Sequence, residues 1–238
     1  FKPYKENLNK IFTLYSAIVK DWYDDVKTRN FKSPISRRNF DNYIDDKVVD
    51  TLINVCIENR TVYQEYFKLK AKMLKMKKIQ RYDIYAPLKK SDRRYSFSES
   101  KQIILDIFSE FNPEFKKKAE LFFKEGHIDS HPRKNKISGA FCSPVNPKIV
   151  PYILLNFNGN IDSVMTAAHE LGHGIHSLYS KHLSVLVQSE PLPLAETAST
   201  FCEMLLFEKM LKDNKDNDEK ASLIFQKIAD SYSTVMRQ

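Results

Sequence analysis

The chain has 238 residues, of which 42% are hydrophobic and 29% charged, as is ordinary for a globular protein with one large domain or two modest ones. Its longest apolar run, residues 149–157, is far shorter than the ~20 residues of a membrane-spanning helix, so no membrane partner is expected. The three cysteines form no C-x-x-C pair, which argues against a disulfide framework or a thiolate zinc site and favours a cytoplasmic protein.

The first part of the chain has the apolar spacing of amphipathic helices and no strand signal over residues 4–82. The two clearest apolar stripes comprise Leu8, Ile11, Phe12, Tyr15 and Ile18, and Val48, Val49, Leu52, Ile53 and Cys56. Pro34 marks the break after the first long helix. The composition changes at residues 85–88, which predicts a helical region over residues 1–85 and a second region over residues 86–238.

A basic segment at residues 67–78 contributes to the net charge of +8. A basic helix can bind nucleic acid or an acidic partner, and such a binding module is the alternative to an enzyme. On a helix, however, these lysines point to several sides instead of forming one stripe, which favours a solvated surface and argues against nucleic acid. They are Lys68, Lys70, Lys72, Lys75, Lys77 and Lys78.

The second region begins with two well-marked helix starts. Ser96 and Glu99 have the spacing of a capping box, and Pro113 follows Asn112 as the first residue of the next helix. The prolines and glycines of residues 127–148 predict a loop. A strand is predicted over residues 150–157, and further helices over residues 162–179, 194–211 and from 219 onward. The expected fold is therefore mainly α with a small β-sheet.

The most informative motif is His-Glu-Leu-Gly-His at residues 169–173, which has the HExxH pattern. On a helix, His169 and His173 lie on one face, one turn apart, so both imidazoles can bind one metal ion. Zn²⁺ accepts imidazole nitrogen readily, and catalytic zinc sites use three protein ligands and a water. Glu170 then lies where it can accept a proton from that water, which makes it the candidate general base.

The third ligand must come from elsewhere in the chain. In the HExxHxxGxxH pattern it is a histidine, but this chain has Tyr179 at that position and His176 in place of the glycine. His176 lies two turns from His169, too far to share one ion at Zn–N lengths of about 2.0–2.1 Å, so we expect a packed histidine there. The remaining candidates are Glu190, Glu196, Glu203 and Glu208.

Helical spacing narrows this choice without settling it. Glu196 and Glu203 are seven residues apart, so they share one helix face two turns from each other. If one of them binds the metal, the other is placed to accept the remaining N–H of a ligating histidine. The pattern alone does not tell which glutamate has which role.

Several segments resemble the thimet oligopeptidase/oligoendopeptidase F family of zinc metallopeptidases, and most closely its oligoendopeptidase F branch. They are residues 82–88, 136–141, 152–157, 162–176 and 195–203. The resemblance implies a zincin-like active-site helix, hydrolysis of short peptides, Glu196 as the third zinc ligand and Glu203 as the outer partner of a ligand. It also implies substrate contacts at Gly139, Ala140 and Tyr152.

Two further expectations concern the substrate and the extent of the chain. The strand at 150–157 is expected to offer an exposed edge with which an extended peptide pairs. The chain begins at Phe1 without methionine and ends at Gln238 inside a predicted helix, so we expect an internal fragment of a longer enzyme. Family members continue into a tyrosine- and histidine-bearing segment that helps to stabilise the tetrahedral intermediate. A catalytically incomplete fragment is therefore a further alternative.

Overall fold

Helices dominate residues 2–84, 86 and 93–237, the part of the chain that the computed structural model describes. Two compact units share these residues, one within Phe1–Asn59 and one within Arg60–Gln238. Residues 85 and 87–92 are outside the described part. The boundary predicted between residues 85 and 86 therefore stays a prediction, and much of the segment 82–88 is not described either. No helix in the described ranges combines the length and apolar character needed to cross a membrane.

The described part of the first unit contains four helices. They are α1 (Lys2–Glu6), α2 (Leu8–Thr28), α3 (Pro34–Asp41) and α4 (Asp46–Glu58). Ser33 caps α3 and Pro34 is its first residue, so the predicted break is also a helix start. Asp46 accepts hydrogen bonds from Ser36 and Asn39, which joins α4 to α3.

The apolar stripes of the first unit predicted its helices but not a buried core. All five residues of the first stripe are exposed, and so are Val48, Leu52 and Ile53 of the second. Asn39 is the one buried residue among the described residues of this unit. Hydrophobic spacing therefore fixed the helical period of this unit, while burial depends on packing partners that a periodic pattern does not specify.

The second unit contains six helices and three short strands in its described part. In chain order they are α5 (Arg60–Met73), α6 (Phe97–Phe111), α7 (Pro113–Lys124), β1 (Ile128–Asp129), β2 (Phe141–Ser143), β3 (Tyr152–Leu154), α8 (Ile161–Ser180), α9 (Leu192–Asp213) and α10 (Asn217–Ser231). Short turns of 3₁₀ and π type lie at Arg81–Asp83 and Tyr232–Met236. The fold is mainly α with a small sheet, as the sequence predicted.

The helix starts of the second unit follow the local chemistry of the sequence. Ser96 accepts a hydrogen bond from the backbone N–H of Glu99 at the start of α6. Asn112 accepts one from Glu114 at the start of α7, whose first residue is Pro113. α7 ends before Gly126, which has a φ of +71° that favours glycine. These predicted starts are confirmed.

The sheet corrects one prediction about the substrate. The strand order is β1-β3-β2, with β1 parallel and β2 antiparallel to β3. β3 is therefore central, and the expectation that its edge is exposed was wrong. The two outer strands are β1 and β2, and β2 lies in the segment that was predicted to be a loop. Strands of two and three residues are too short to produce a recognisable alternation.

A single apolar core lies where α6, α7, α8 and α9 pack with the sheet. Its fully buried large side chains are Ile104, Phe108, Phe122, Ile153, Val164, Leu171, Ile175 and Leu206. Ile104 and Phe108 come from α6 and Phe122 from α7, whereas α8 contributes Val164, Leu171 and Ile175. Because α8 is buried along most of its length, its residues have little freedom to move, and it carries the histidine motif.

Candidate metal centre

The helix α8 carries His169 and Glu170 on one turn and His173 on the next. Its start is fixed by Asn160, whose side chain accepts a hydrogen bond from the N–H of Ser163. Glu170 is buried, whereas His169 and His173 are partly exposed. The buried side of α8 holds the helix in the core, and the motif therefore presents its two imidazoles at the edge of that core.

The helix α9 brings Glu196 and Glu203 to the same place through close contact with α8. A Cβ atom on Gly172 would lie 2.7 Å from both the carbonyl oxygen of Ala198 and the Cα of Ser199. Such contacts are too short for any side chain, so only glycine permits this approach of the two backbones. The glycine of the motif thus positions the turn of α9 that carries Glu196.

Three donor atoms converge between these helices. Glu196 Oε2 lies 3.2 Å from His169 Nε2 and 3.4 Å from His173 Nε2, and the two Nε2 atoms are 3.2 Å apart. Ligands held tetrahedrally at about 2.0–2.1 Å from one ion are about 3.3–3.4 Å from each other. The spacing and the two-imidazole, one-carboxylate donor set therefore fit zinc. In the described part of the chain, these residues are the one such group of histidine, cysteine and acidic side chains.

Glu203 lies behind His169 and fixes its orientation. His169 Nδ1 donates to Glu203 Oε1 at 2.5 Å, which leaves Nε2 as the atom with a free lone pair. Burial alone lowers the pKa of His169, but the hydrogen bond and charge of Glu203, with Glu170 and Glu196, outweigh it and raise that pKa. For Glu203, burial is outweighed by hydrogen bonds from His169 and Lys227, which lower its pKa.

Ser199 contacts the third donor directly. This fully buried serine lies one turn after Glu196, and its hydroxyl is 2.7 Å from Glu196 Oε2 and 3.1 Å from the Glu196 carbonyl oxygen. The Glu196 side chain is otherwise mostly exposed, so its hydrogen bond with the Ser199 hydroxyl is the contact that restricts its rotation. The carboxylate is thereby held toward the two imidazoles.

Glu170 lies near Cys142 of strand β2. Burial is the main reason that its pKa rises to about 7; the charge of Glu196 adds to the rise, while His169 and the backbone N–H of Cys142 oppose it. That N–H faces away from β3, since Ile153, the partner of Cys142 in β3, donates its own N–H to His127 on the β1 side. A carboxyl group with a pKa near neutrality can both accept and release a proton at physiological pH.

Two of the three predicted substrate contacts line one cavity, and their role stays a prediction. Gly139 and Ala140 line a cavity of about 290 Å³ bounded by residues 155–158 and the first turns of α8. Gly139 has a φ of +86°, and its carbonyl oxygen accepts a hydrogen bond from the Asn156 side chain. Tyr152 is not part of the lining of this cavity, and its ring stacks on His127 with a centroid distance of 4.1 Å.

The remaining candidate ligands lie outside the three-residue group. His176 is one turn beyond His173, and its buried Nδ1 atom has no hydrogen-bond partner among the described residues. Glu190, in the segment between α8 and α9, approaches that atom to 4.0 Å. Glu208 is exposed near the far end of α9. The prediction that His176 is packed and not a ligand stays a prediction.

Sequence reasoning missed three groups that contact this site. They are the hydroxyl of Ser199, the ammonium of Lys227 and the backbone N–H of Cys142. Ser199 had a usable signal, since it is three residues after Glu196 on the same helix. Neither Lys227 nor Cys142 had one, because each reaches the site from an element whose packing the sequence does not specify.

Comparison with known proteins extends over nearly the whole chain. The family model described as peptidase family M3 matches residues 2–238. The chain is 31% identical to the chromosomal oligoendopeptidase F of Lactococcus lactis subsp. cremoris, over 92% of this chain and 38% of the relative. It is 32% identical to an oligoendopeptidase F homologue of Borreliella burgdorferi, over 100% of this chain and 41% of the relative. The chain thus spans about two fifths of the length of these curated relatives.

A solved structure agrees with these sequence relatives. The crystal structure of a Chlamydophila abortus protein assigned as a peptidase superposes with a TM-score of 0.80 at 29% identity, covering 99% of this chain and 40% of that chain. Sequence and fold therefore agree over the same residues, which include α8, α9 and the sheet. On this basis the chain belongs to peptidase family M3.

Proposed function

We propose that this chain carries the metal centre of a zinc-dependent metalloendopeptidase that hydrolyses short peptides. The observation that carries the proposal is the convergence of His169 Nε2, His173 Nε2 and Glu196 Oε2 at mutual distances of 3.2–3.4 Å, beside a buried Glu170. Membership of peptidase family M3 and relatives named as oligoendopeptidases support the same reaction.

In this proposal His169, His173 and Glu196 hold the ion, and Glu203 orients His169. Bound zinc lowers the pKa of a coordinated water toward ~7 and polarises a substrate carbonyl. Glu170 acts as the general base, accepting the proton of the attacking water and releasing it to the amine of the cleaved bond.

The peptide is proposed to bind along the outer edge of β2. Among the described residues this strand pairs with β3 on one side only, and the Cys142 N–H on its outer side influences the pKa of Glu170. An extended substrate that adds to this edge would therefore have its backbone close to the general base. Main-chain pairing recognises the peptide bond and not the side chains, which suits hydrolysis of short peptides of varied sequence.

The general base is tested with Glu170→Gln. We expect the variant to keep stoichiometric zinc and to lose about 10²–10⁴-fold in the cleavage of a quenched fluorescent peptide, the range typical of general bases. Glu208→Gln is the matched control, since this glutamate is exposed and outside the centre. Near-normal hydrolysis by a zinc-loaded Glu170→Gln protein would contradict the assigned role.

Two measurements separate the alternatives. Zinc bound in stoichiometric amount, and lost in His169→Ala, is expected for the metal centre and not for a basic binding module. In the basic segment, Lys70 is buried and donates to the carbonyl oxygen of Ile84, so it is not part of a free cationic surface. Zinc binding without chelator-sensitive hydrolysis would instead favour the catalytically incomplete alternative.

A further inference from the structure

A chain of two contacts connects α10 to the metal centre. Lys227 Nζ donates to Glu203 Oε2 at 2.9 Å, and the other carboxylate oxygen, Oε1, accepts from His169 Nδ1 at 2.5 Å. Lys227 belongs to α10, Glu203 to α9 and His169 to α8. Three helices thus contribute one member each to a polar chain that ends on a proposed zinc ligand.

We propose that Lys227 is a positioning residue for zinc binding, which acts by holding Glu203 in the orientation that fixes His169. The inference rests on the proposed metal centre and extends it to a residue one contact further out. Each oxygen of Glu203 has its own donor, so the carboxylate cannot rotate without breaking a charge-assisted hydrogen bond. If Lys227 no longer donates, the hydrogen bond from His169 alone does not fix the rotation of the Glu203 carboxylate.

The charges around Glu203 explain why a cation is needed there. The Glu203 side chain is only 23% exposed, so water screens its charge incompletely. Asp230, on the same helix as Lys227, is close enough that its charge interacts unfavourably with that of Glu203. Without Lys227, Glu203 would face Asp230 with His169 as its one remaining hydrogen-bond donor in the part of the chain that the structure describes. Its carboxylate would then be free to turn away from the imidazole.

A simple structural tie between α9 and α10 is the competing explanation. A partly exposed ion pair contributes about 0–1 kcal/mol to folding, and its loss would not change how a folded protein binds zinc. Lys209 provides the matched comparison, because it pairs with Glu110 at the same 2.9 Å. Its side chain is 33% exposed, against 30% for Lys227. Only the pairing with Glu203 leads to a proposed ligand.

The test measures zinc affinity by competition with a chromogenic chelator, without reference to activity. We expect Lys227→Met to lower the affinity about 10-fold, at the lower end of the 10–100-fold typical of groups that orient ligands. Lys227→Arg, which can still donate to Glu203, should restore it to within about 3-fold. Lys209→Met should bind zinc as the wild type does. Circular dichroism of the metal-free proteins checks folding, and Lys227→Ala, which also lacks a donor, replaces the methionine variant if that one does not fold.

A double-mutant cycle with Glu203→Gln shows whether Lys227 acts through Glu203. In the Glu203→Gln background, Lys227→Met should cause no further loss of zinc affinity. Equal losses in both backgrounds, or wild-type affinity in Lys227→Met, would overturn the inference while leaving the metal centre intact. A wild-type chain that binds no zinc would overturn the proposed centre itself, and the role of Lys227 with it.

Discussion

The site has two walls that are built in different ways. The helical wall is formed by α8 and α9 and carries all three proposed ligands; the strand wall is formed by β2, β3 and the loop of residues 130–140. In the helical wall, two backbones meet at Gly172 without an intervening side chain. In the strand wall, polar side chains hold the loop: Asn156 donates to the carbonyl oxygens of Ile137 and Gly139.

This difference implies that the proposed metal binding and the proposed peptide binding can be perturbed separately. A packed backbone contact fixes positions to a fraction of an ångström, as three converging ligands require. Hydrogen bonds from partly exposed side chains are weaker and allow a surface to adjust to its peptide. Changes in the helical wall should therefore alter zinc affinity, whereas changes in the strand wall should alter the use of substrate.

The largest effect is expected from Gly172→Ala in the helical wall. The new Cβ would lie 2.7 Å from backbone atoms of Ala198 and Ser199, so α9 must move away from α8. We expect a loss of about 1–3 kcal/mol in the free energy of unfolding, as for overpacked cores, despite the better helix propensity of alanine. Zinc affinity should fall by at least 10-fold, because the shift carries Glu196 with it.

Gly174→Ala is the control for that variant. Its Cβ would meet the ring of Phe122, at 2.3 Å from the nearest carbon, and not the backbone of α9. Chemical unfolding should show a comparable loss of stability, while chelator competition should show nearly unchanged zinc affinity in the folded protein. Equal losses of zinc affinity in the two variants would mean that the contact at Gly172 does not position Glu196.

A smaller effect is expected from Asn156→Ala in the strand wall. The change removes two hydrogen bonds of 2.9 Å to the loop, each worth about 1 kcal/mol at most in this partly exposed setting. Amide hydrogen exchange over residues 137–143 should become faster and the KM for a peptide should rise several-fold. Zinc affinity should stay within about twofold of the wild type, as should that of the control Asn146→Ala. A large loss of zinc would show that the walls are not independent.

The smallest effect is expected from Asp129→Asn and depends on pH. Hydrogen bonds from Arg133 and Lys136 lower the pKa of Asp129 from its usual 3.8 to about 2. A lowered carboxyl pKa stabilises the fold fully above its usual value, and this contribution is lost as the pH falls toward 2. Urea unfolding should therefore show a stability difference between wild type and variant that is constant down to about pH 4 and then shrinks.

After Arg133, the second contributor to the lowered pKa of Asp129 is a buried cation. The Lys136 side chain is only 2% exposed, and its ammonium also donates to the carbonyl oxygens of Asp129 and His131. Asp106→Asn, at an exposed site on α6, is the control and should show no such pH dependence. A difference that is unchanged between neutral pH and about pH 3 would contradict the ion-pair explanation.

The two walls also differ in how far the sequence predicts them. The motif at residues 169–173 lies on one helix, so the spacing of its residues alone defines their relative positions. The starts of α6 and α7 were predictable for the same reason, since Ser96 and Asn112 contact backbone atoms only two or three residues away. Such features can be predicted from the sequence because the residues that form them are close together in the chain.

The strand wall and the outer contacts of the site depend on tertiary packing instead. β2 has three residues in a segment rich in proline, and its role as the outer strand follows from pairing with β3. Lys227 reaches Glu203 because α10 crosses α9 at that point, which no spacing of residues encodes. The same limit explains why the stripe beginning at Leu8 predicted a helix but not its exposure.

The two glycines of α8 have a consequence for the order in which the site assembles. Glycine in a helix interior is less favourable than alanine by about 0.8–1.0 kcal/mol, so Gly172 and Gly174 weaken α8 as an isolated segment. The helix must then acquire its stability from α9, which approaches at Gly172, and from Phe122, which fills the space at Gly174. We therefore expect His169 and His173 to gain their relative positions only as the surrounding core forms. Ligand alignment and cooperative folding of this unit are then one event.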